Sequence, residues 1–448
     1  MKRAAACGRA AVACLGLALA ALPARAAWRE PYPASPPGDV VDTLHGVAVP
    51  DPWRWLEDGR SPEVQNWTDA QNAVTRRALE GVQGRDRIRA ELQRLYRIPT
   101  LSAPRLAGTR LFWQKREEGQ DQPVVWVNDG ATTLGPHVAI DPNRLSYDGT
   151  TALDWVFPSP DGKMLAYGTS VGGTEHSTLR VFNVITGFDT WDTIPNTQHC
   201  TVAWDPDGSG FLYSRYASPG EVPEGKEVLH QEIYHHRLMD EWQSDRIAYH
   251  GENAPLQERR EVTTSADRKW TFLRTSVDWI RNDLYIRHAG TDETWRPVAL
   301  GQDGQVFAEV VGTRLLLLTN AGAPRFHVIE TDVNSPVFGG REMIPQQRGV
   351  IRGMSLVGDR LVLRVEEDAQ VRLRVYASDG AFQHEVPLPA PGDVAEVTGE
   401  ADGADFYFTY TSYVYPPTVY RCNVVTNEMQ PLERFITGFD PLLYSVRE

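Results

Sequence analysis

The feature that most constrains this chain is a short phrase that it restates seven times. In each copy a polar turn runs directly into a strand of aromatic and branched residues, most clearly in residues 159–167, SPDGKMLAY. Asp-Gly favours a hairpin turn because Gly accepts positive φ and the Asp side chain bonds nearby backbone. Each copy therefore predicts a point where one strand folds back on the last. The other copies begin at Gly108, Asp205, Ala266, Gly312, Gly358 and Ala401.

The spacing of these copies predicts the architecture. Turn to turn they lie about 45 to 60 residues apart, the period typical of a four-stranded propeller blade. Seven copies predict about seven blades, and a repeat fold can absorb most of a 448-residue chain in one body. The alternative is an unrelated string of hairpins or a β-sandwich. A hydrophobic content of 41% with 13 Trp is sufficient for a core.

The first 26 residues have the pattern of a secretory signal peptide. Lys2, Arg3 and Arg9 form a basic start, residues 10–22 an apolar run, and residues 24–26 an A-x-A cleavage site. A membrane anchor is disfavoured because the run falls short of the ~20 apolar residues that span a bilayer. We therefore expect an exported protein, periplasmic or secreted, with no membrane association after signal removal.

Charge and cysteine content narrow the partners. Removal of the signal peptide takes away four basic residues and no acidic ones, so the formal charge changes from -14 to -18. This argues against nucleic acid as a partner. Cys7 and Cys14 lie in the signal peptide, and Cys200 and Cys422 remain. An oxidising compartment would allow a disulfide between them, but two buried free thiols are the favoured interpretation.

The segment before the repeats differs in character. A proline-rich stretch leads into the aromatic residues 39–57. A helix is predicted from Ser61 to Gly81 and a second from Asp86, each with one apolar face that needs a cover. From Leu101 onward the chain is β in character.

Several extended stretches resemble the prolyl oligopeptidase family. In that family a seven-bladed propeller is inserted into an α/β-hydrolase domain, whose first part precedes the propeller and whose larger part follows it. After the signal peptide at 1–26, the resemblance implies a hydrolase-associated extended and helical segment at 27–100, a seven-bladed propeller at 101–438, and the start of a missing hydrolase segment at 439–448. The stretches that carry the resemblance are 39–57, 141–155, 159–173, 203–216, 234–238 and 411–420.

The resemblance also implies a function. The family hydrolyses short peptides, usually after proline, and its propeller restricts entry to the buried site by size. The family's catalytic Ser, Asp and His lie in the later hydrolase segment, so we expect this chain to be a fold of mainly β structure without a catalytic triad and inactive alone. Its expected partners are short peptides in the complete enzyme and a separately encoded hydrolase segment. The alternative is a stand-alone propeller that serves as an extracytoplasmic peptide-binding or interaction module.

One motif competes with this interpretation. Residues 168–172, Gly-Thr-Ser-Val-Gly, match the Gly-x-Ser-x-Gly pattern of a nucleophile elbow around Ser170. An elbow lies between a strand and a helix, whereas residues 174–182 read as a second strand, so we predict a hairpin. His176 is a candidate base for the same reading, but no oriented acid can be assigned to it. We therefore predict no catalytic residue in the chain.

No metal or cofactor site is predicted either. The candidates are the pairs His199-Cys200 and His235-His236. Neighbouring residues on a strand point to opposite faces, so neither pair can close on one ion unaided. The chain has no Cys-x-x-Cys or His-Glu-x-x-His spacing.

Two further expectations follow from the resemblance. After the strand at 234–238 the family often has an aromatic stretch, where this chain has LQERR at 256–260. Without the hydrolase, apolar side chains of the N-terminal segment should face water. These are Trp53, Trp55, Leu56, Val64, Trp67 and Val74.

Overall fold

The computed structural model describes residues 32–129, 135–251, 255, 257–433, 443, 444 and 446. The predicted signal peptide (1–26) lies outside the described residues, as does most of the predicted hydrolase start (439–448). The chain divides into two compact units, the first ending at Tyr96 and the second beginning at Arg97. In the part described, no helix is long and apolar enough to cross a bilayer.

The first unit contains a hairpin and two helices. Ser61 caps the first helix by accepting the N–H of Val64 (3.2 Å), and Gly81 ends it, so the predicted bounds of this helix are confirmed. The elements are β1 (Val41–Leu44), β2 (Val47–Pro50), α1 (Pro62–Glu80) and α2 (Arg85–Tyr96).

The proline-rich stretch covers one face of α1. Trp67 Nε1 donates to Ser35 Oγ (3.0 Å) and Gln71 Nε2 to the carbonyl of Pro33 (3.3 Å). Val64 and Val74 lie on this same face by helical spacing and are buried. The prediction that these two valines face water is therefore wrong: an extended segment folds back over them.

The other side chains that were predicted to face water differ in their exposure. Trp53 is 53% exposed, which confirms the expectation. Trp55, Leu56 and Trp67 are half-buried, and the rings of Trp55 and Trp67 meet edge to face at 6.2 Å. The indole N–H of Trp55 donates to the carbonyl of Pro36 (3.0 Å).

Among the described residues, the first unit nevertheless exposes an apolar surface. One face of α2 is exposed over its whole length, and Tyr96 at its end is 72% exposed. The hairpin β1–β2 also exposes its branched side chains. The exposed apolar residues of the two elements are Val41, Leu44, Val47, Val49, Ile88, Leu92, Leu95 and Tyr96.

The second unit is a seven-bladed β-propeller of seven antiparallel sheets. Each sheet is built from strands consecutive in sequence, so the predicted fold class is confirmed. Blade 1 comprises β3 (Thr100–Leu101), β4 (Arg105–Ala107), β5 (Arg110–Arg116), β6 (Val124–Asp129) and β7 (His137–Ile140). Blade 2 comprises β8 (Thr151–Pro158), β9 (Met164–Val171), β10 (Thr178–Asn183) and β11 (Phe188–Ile194). Blade 3 comprises β12 (Val202–Trp204), β13 (Gly210–Tyr216), β14 (Gln231–Arg237) and β15 (Arg246–Tyr249).

The remaining four blades repeat the four-stranded plan. Blade 4 comprises β16 (Arg259–Thr264), β17 (Trp270–Ser276), β18 (Asp283–His288) and β19 (Arg296–Ala299). Blade 5 comprises β20 (Val306–Val311), β21 (Arg314–Thr319), β22 (His327–Asp332) and β23 (Arg341–Ile344). Blade 6 comprises β24 (Val350–Val357), β25 (Arg360–Glu367), β26 (Gln370–Ala377) and β27 (Phe382–Glu385). Blade 7 comprises β28 (Asp393–Gly399), β29 (Asp405–Thr411), β30 (Thr418–Asn423) and β31 (Met429–Pro431).

The core lies between neighbouring blades. One buried cluster joins Val375 of β26 in blade 6 to Phe408 of β29 in blade 7, and both side chains are fully buried. Such clusters recur from blade to blade, which is how a propeller buries both faces of its sheets. Cys200 and Cys422 are buried free thiols in separate clusters, as the favoured interpretation predicted.

The repeated turns all lie at one end of the propeller. The turn joins β4 to β5 in blade 1 and the first strand to the second in the other blades. The glycines of five of these turns have positive φ between 57° and 71°. Because an antiparallel meander alternates direction, the chain enters the first strand and leaves the fourth strand at the opposite end. We call the end with the repeated turns the turn face and the opposite end the linker face. The five glycines are Gly108, Gly162, Gly208, Gly312 and Gly358.

Blades 1 and 7 close the ring through side chains. Glu396 on β28 accepts the N–H of Ala103 (3.0 Å), and Thr398 donates to the carbonyl of Pro104 (2.6 Å). Lys115 reaches Glu433 at 2.9 Å. Within the described residues, no strand from one end of the chain joins the sheet formed by the other.

Candidate functional site

The Gly-x-Ser-x-Gly motif lies in a β-hairpin. Ser170 is on β9, paired with Ala152 of β8, and β9 pairs in turn with β10. The predicted hairpin is thus confirmed. The Ser170 hydroxyl donates to Asp154 Oδ1 at 2.8 Å, and Ser177 donates to the other oxygen of the same carboxylate. This serine is therefore hydrogen-bonded to an acid and not to an imidazole base.

The glycines of this motif have structural causes. A Cβ on Gly168 would lie 2.3 Å from the indole ring of Trp155, so only Gly fits beneath that ring. Gly172 has a φ of +64° in the hairpin loop, a conformation that favours Gly. His176 in the same loop is exposed. Packing and turn geometry thus account for the pattern that resembles an elbow.

His235 and His236 lie on β14 and point to opposite faces, as strand alternation predicts, whereas His199 and Cys200 lie in the loop between β11 and β12. His236 is fully buried, whereas His235 is partly exposed with its Nε2 2.8 Å from Asp205. His199 is exposed and Cys200 is buried. Across the described ranges, no cluster of three or more His, Cys, Asp or Glu side chains is arranged to hold a metal ion.

His236 joins blades 2 and 3 through two carboxylates. Its Nε2 lies 2.8 Å from Asp192 on β11 and its Nδ1 lies 2.8 Å from Asp245, which also accepts the Tyr213 hydroxyl at 2.7 Å. Burial alone would lower the pKa of His236, but hydrogen bonds to Asp192 and Asp245 outweigh it and raise the pKa to about 9. The imidazolium is held between two buried acids, Asp192 on β11 and Asp245 just before β15, so it stabilises the junction of the two blades.

The central channel is the main concave surface of the propeller. Its turn-face end forms a cavity of about 490 Å³ to which all seven blades contribute, chiefly from their innermost strands. Backbone, small and apolar groups dominate the wall. One residue from each blade illustrates the ring: Ala107, Phe157, Trp204, Thr264, Glu309, Ser355 and Thr398.

The charged groups of this cavity are few. Burial raises the pKa of Glu309 to about 7, although its Oε1 accepts the N–H groups of Val310 (2.8 Å) and Ala266 (3.0 Å). This carboxyl therefore holds its proton to a higher pH than an exposed glutamate does. Burial also raises the pKa of Glu400, which contacts Arg268 at 2.9 Å.

A second cavity opens at the linker face between blades 4 and 5. It has a volume of about 290 Å³ and is lined by Arg259, Arg274, Trp279 and Phe307 among others. The Arg259 guanidinium lies 5.6 Å from the ring centre of Trp279, and that of Arg274 lies 4.7 Å from Phe307. Arg274 also pairs with Glu261. Cationic and aromatic groups at one opening can bind the backbone and side chains of a peptide.

The linker face also exposes large aromatic side chains. Tyr147 and Tyr413 are almost fully exposed, and Trp279 is 82% exposed. All three lie in loops that precede first strands or join second to third strands. These exposed rings are available for contacts with a partner at this face.

Comparison with known proteins identifies the fold family. A family model described as "Prolyl oligopeptidase, N-terminal beta-propeller domain" matches residues 33–434. The chain belongs to this family. The resemblance inferred from the sequence stretches is thereby confirmed.

Curated relatives of this prolyl oligopeptidase propeller are longer than the chain. The prolyl endopeptidase of Elizabethkingia meningoseptica is 26% identical over 436 residues, which cover 97% of this chain and 61% of the relative. Prolyl oligopeptidase A of Amanita bisporigera is 28% identical over 460 residues, with 93% and 60% covered. The chain thus spans about three fifths of the length of these relatives.

Solved structures give the same result. A prolyl endopeptidase, studied for the role of inter-domain dynamics in catalysis and specificity, superposes with a TM-score of 0.84 at 30% identity and covers 92% of this chain and 61% of its own. Prolyl oligopeptidase B of Galerina marginata, bound to a 35mer substrate, has a TM-score of 0.79 at 23% identity, with 92% and 61% covered. The second likeness shows the fold alone.

The sequence did not identify the charged residues that line the turn-face cavity and the linker-face cavity. Arg259 lies in the LQERR stretch, which in sequence showed only a departure from the family, yet it lines the linker-face cavity. Arg268 interrupts the turn phrase at the place where most copies have Gly. That substitution was the one visible signal, and its meaning depends on contacts that the sequence does not show.

Proposed function

We propose that this chain is the N-terminal and propeller portion of a prolyl oligopeptidase-like serine peptidase. The observation that carries the proposal is the family match over residues 33–434 in a chain that spans about 61% of its relatives' length. The complete enzyme would cleave short peptides, with preference for proline, as the names of its relatives suggest. The catalytic Ser, Asp and His would belong to a hydrolase segment outside these residues, and this chain alone would be inactive.

The exposed apolar surface of the first unit supports a hydrolase partner. Apolar side chains of α2 and of the β1–β2 hairpin face water. Burial of one large apolar side chain contributes about 1.5–3 kcal/mol, so a partner that covered this surface would stabilise the unit. Tyr96 and Leu92 are exposed by 72% and 49%. We propose that the hydrolase segment packs on this surface.

The propeller supports a role in size selection. In this proposal the propeller narrows access to the hydrolase, so that folded proteins are excluded and extended peptides are admitted. The Arg259 and Trp279 cavity at the linker face would contact the peptide on its way. We further propose that residues 1–26 direct export and are removed, so that the mature chain begins at Ala27 in the periplasm or outside the cell.

The proposal is tested on the protein isolated from its own cells. A fluorophosphonate probe labels active serine hydrolases, and mass spectrometry identifies the labelled polypeptide and the first residue of this chain. We expect post-proline peptidase activity to accompany the chain, with the label on a hydrolase polypeptide and not on Ser170. Absence of peptidase activity from every fraction that contains the chain would overturn the proposal.

A second candidate function is a peptide-binding module that acts alone. It is favoured by the linker-face cavity, which combines three arginines, paired with Glu261 and Asp278, with the exposed ring of Trp279. Titration calorimetry with short proline-containing peptides separates the two. Micromolar binding to the isolated chain that is lost in Trp279→Ala, with no peptidase associated in cells, would favour the module.

A further inference from the structure

The turn of blade 4 has an arginine where an equivalent turn has glycine. In blades 2 and 4 the serine that begins the turn donates to the aspartate two residues later, at 2.8 and 2.6 Å. The residue after that aspartate is Gly162 in blade 2 and Arg268 in blade 4, and its N–H bonds the carbonyl of the serine at 2.9 and 2.8 Å. The two turns therefore have the same hydrogen-bond pattern, and Arg268 is equivalent to Gly162.

Arg268 adopts a conformation that suits glycine. Its φ is +61°, beside +69° for Gly162 and +71° for Gly208 at the corresponding positions. A residue with a Cβ is strained in this left-handed region. Strained residues that persist in a structure are often held there by a function of their side chain.

The side chain of Arg268 reaches across the channel. Its Nη1 donates to the carbonyl of Pro160 in blade 2 at 2.7 Å, and its Nη2 donates to Glu400 in blade 7 at 2.9 Å. In ring order, blade 4 has blades 3 and 5 as neighbours, so both contacts skip at least one blade. A side chain that joins blade 4 to blades 2 and 7 must pass over the axis of the ring.

The two turns that carry the acceptors contact turns of neighbouring blades. The backbone carbonyl of Glu400 accepts the N–H of Gly358 from blade 6 at 2.9 Å. Beside Pro160, a Cβ on Gly162 would come within 2.4 Å of the carbonyl of Ala107, so the turns of blades 1 and 2 are in close contact. Arg268 therefore connects two groups of turns that have little freedom to move apart.

Arg268 and Glu400 both line the turn-face cavity. The Arg268 side chain is 35% exposed and that of Glu400 is 20% exposed. Since each side chain also borders the channel interior, the pair lies between the cavity and the solvent at the turn face. Charge-assisted hydrogen bonds at both ends of the guanidinium hold it in this position.

We propose that Arg268, with Pro160 and Glu400, is a latch that closes the turn-face opening of the channel. Peptides would then reach the channel only from the linker face, where the Arg259 and Trp279 cavity lies. This consequence for substrates rests on the proposed function. The closure itself does not, because every residue of the latch belongs to this chain.

The test measures access to a thiol inside the cavity. Ser355→Cys places a reporter on the cavity wall, and the native thiols Cys200 and Cys422 are buried with pKa values raised by burial to about 12. Their background is measured in the chain without the reporter. The reporter chain is then compared with the same chain carrying Arg268→Gly. This substitution introduces the residue that the equivalent turns have at this position. A small maleimide and a maleimide on a polymer chain are used.

With Arg268→Gly we expect the polymer maleimide to react about tenfold faster or more. A tenfold change in rate corresponds to about 1.4 kcal/mol. This is about the smallest free energy expected from the loss of a hydrogen bond to a charged group. The small maleimide should change less. Entry through the linker face contributes equally to both chains, so the ratio reports the turn face.

The matched control is Lys163→Ala. Lys163 is a cation of the blade-2 turn that pairs with Asp161 of the same turn at 2.9 Å and does not cross the channel, so its removal should leave both rates unchanged. Glu400→Gln weakens one arm of the latch and should give an intermediate increase. Equal polymer rates with Arg268 and with Gly at this position, in chains with the same thermal unfolding, would overturn the proposal. No peptidase step enters the measurement, so its failure is distinct from failure of the proposed function.

Discussion

At the scale of single residues, His236 shows how buried charge can join two blades. The imidazole lies between Asp192 and Asp245 with both ring nitrogens at hydrogen-bond distance. A buried ion is stabilising only when its partners remain, because removal of one partner leaves uncompensated charge. The stability of the junction between blades 2 and 3 therefore depends on the protonation of His236.

The pH dependence of this junction can be stated with its sign. The pKa of His236 is raised from 6.5 to about 9 in the folded chain. A raised pKa means that the folded state binds the proton more tightly, so the stabilisation is fully present below pH 6.5 and is lost as the pH rises through about 9. His236→Gln should lower the free energy of unfolding by about 3–5 kcal/mol near pH 6, and by less near pH 10.

Calorimetric unfolding of both chains between pH 5 and pH 10 measures this difference. The control is His235→Gln, since His235 is partly exposed and contacts one carboxylate. A difference between His236 and Gln that is independent of pH would contradict the assignment of the imidazolium.

Ser170 is predicted to be a structural serine. Ser170→Ala removes one hydrogen bond to Asp154 and should lower the free energy of unfolding by about 0.5–1.5 kcal/mol, the net contribution of a typical hydrogen bond, because the exposed carboxylate of Asp154 regains water. Fluorophosphonate labelling of the chain should be unaffected. The comparison is Ser209→Ala, an exposed turn serine bonded to Asp207, where urea unfolding should show little change. Labelling that disappears with Ser170→Ala would identify a nucleophile instead.

At the scale of elements, the hairpin β9–β10 explains a misleading motif. Gly168 leaves room for the indole ring of Trp155, and a Cβ there would lie 2.3 Å from the ring. Gly168→Ala should therefore lower the free energy of unfolding by about 1–3 kcal/mol through overpacking. Gly353→Ala on β24 is the control, because its Cβ would have contacts no closer than 3.9 Å. Equal urea midpoints for the two variants would refute the packing explanation.

The elements also show what the sequence can predict. The hairpin turns and the α1 cap depend on neighbouring residues, so their local patterns identified them, as at Ser61 and Gly162. The burial of Val64 was predicted wrongly because its cover comes from a segment some thirty residues earlier, through the contact between Trp67 and Ser35. The contacts of Arg268 with Pro160 and Glu400 span 108 and 132 residues. Such contacts depend on the closed ring, which no local pattern describes.

At the scale of the whole molecule, the ring depends on its junction between blades 1 and 7. There the strands are not shared, and side chains such as Glu396 provide the polar contacts. Glu396→Ala leaves the N–H of buried Ala103 without its acceptor and should lower the free energy of unfolding by about 1–3 kcal/mol. Hydrogen exchange should accelerate first in β4 and β28.

The control for this junction is Glu342→Ala. Glu342 forms an exposed pair with His327 at 2.8 Å, and exposed pairs contribute about 0–1 kcal/mol. Uniform acceleration of exchange in all seven blades of the Glu396 variant would mean that the ring has no weak junction.

The function of the chain depends on features of the whole molecule. The described chain has a propeller with a channel, a cavity of arginine and aromatic side chains between blades 4 and 5 and, in its first unit, an exposed apolar surface. None of these cleaves a peptide bond, which requires a positioned nucleophile and base. The central claim is therefore that the chemistry belongs to a hydrolase segment outside these residues.

The measurement that tests this claim most directly is a post-proline peptidase assay on the purified chain, with a fluorophosphonate probe in parallel. A single cooperative thermal transition first establishes that the chain is folded. We predict no turnover and no labelled residue. Turnover together with a label on Ser170 would contradict the account and show that the chain contains its own active site.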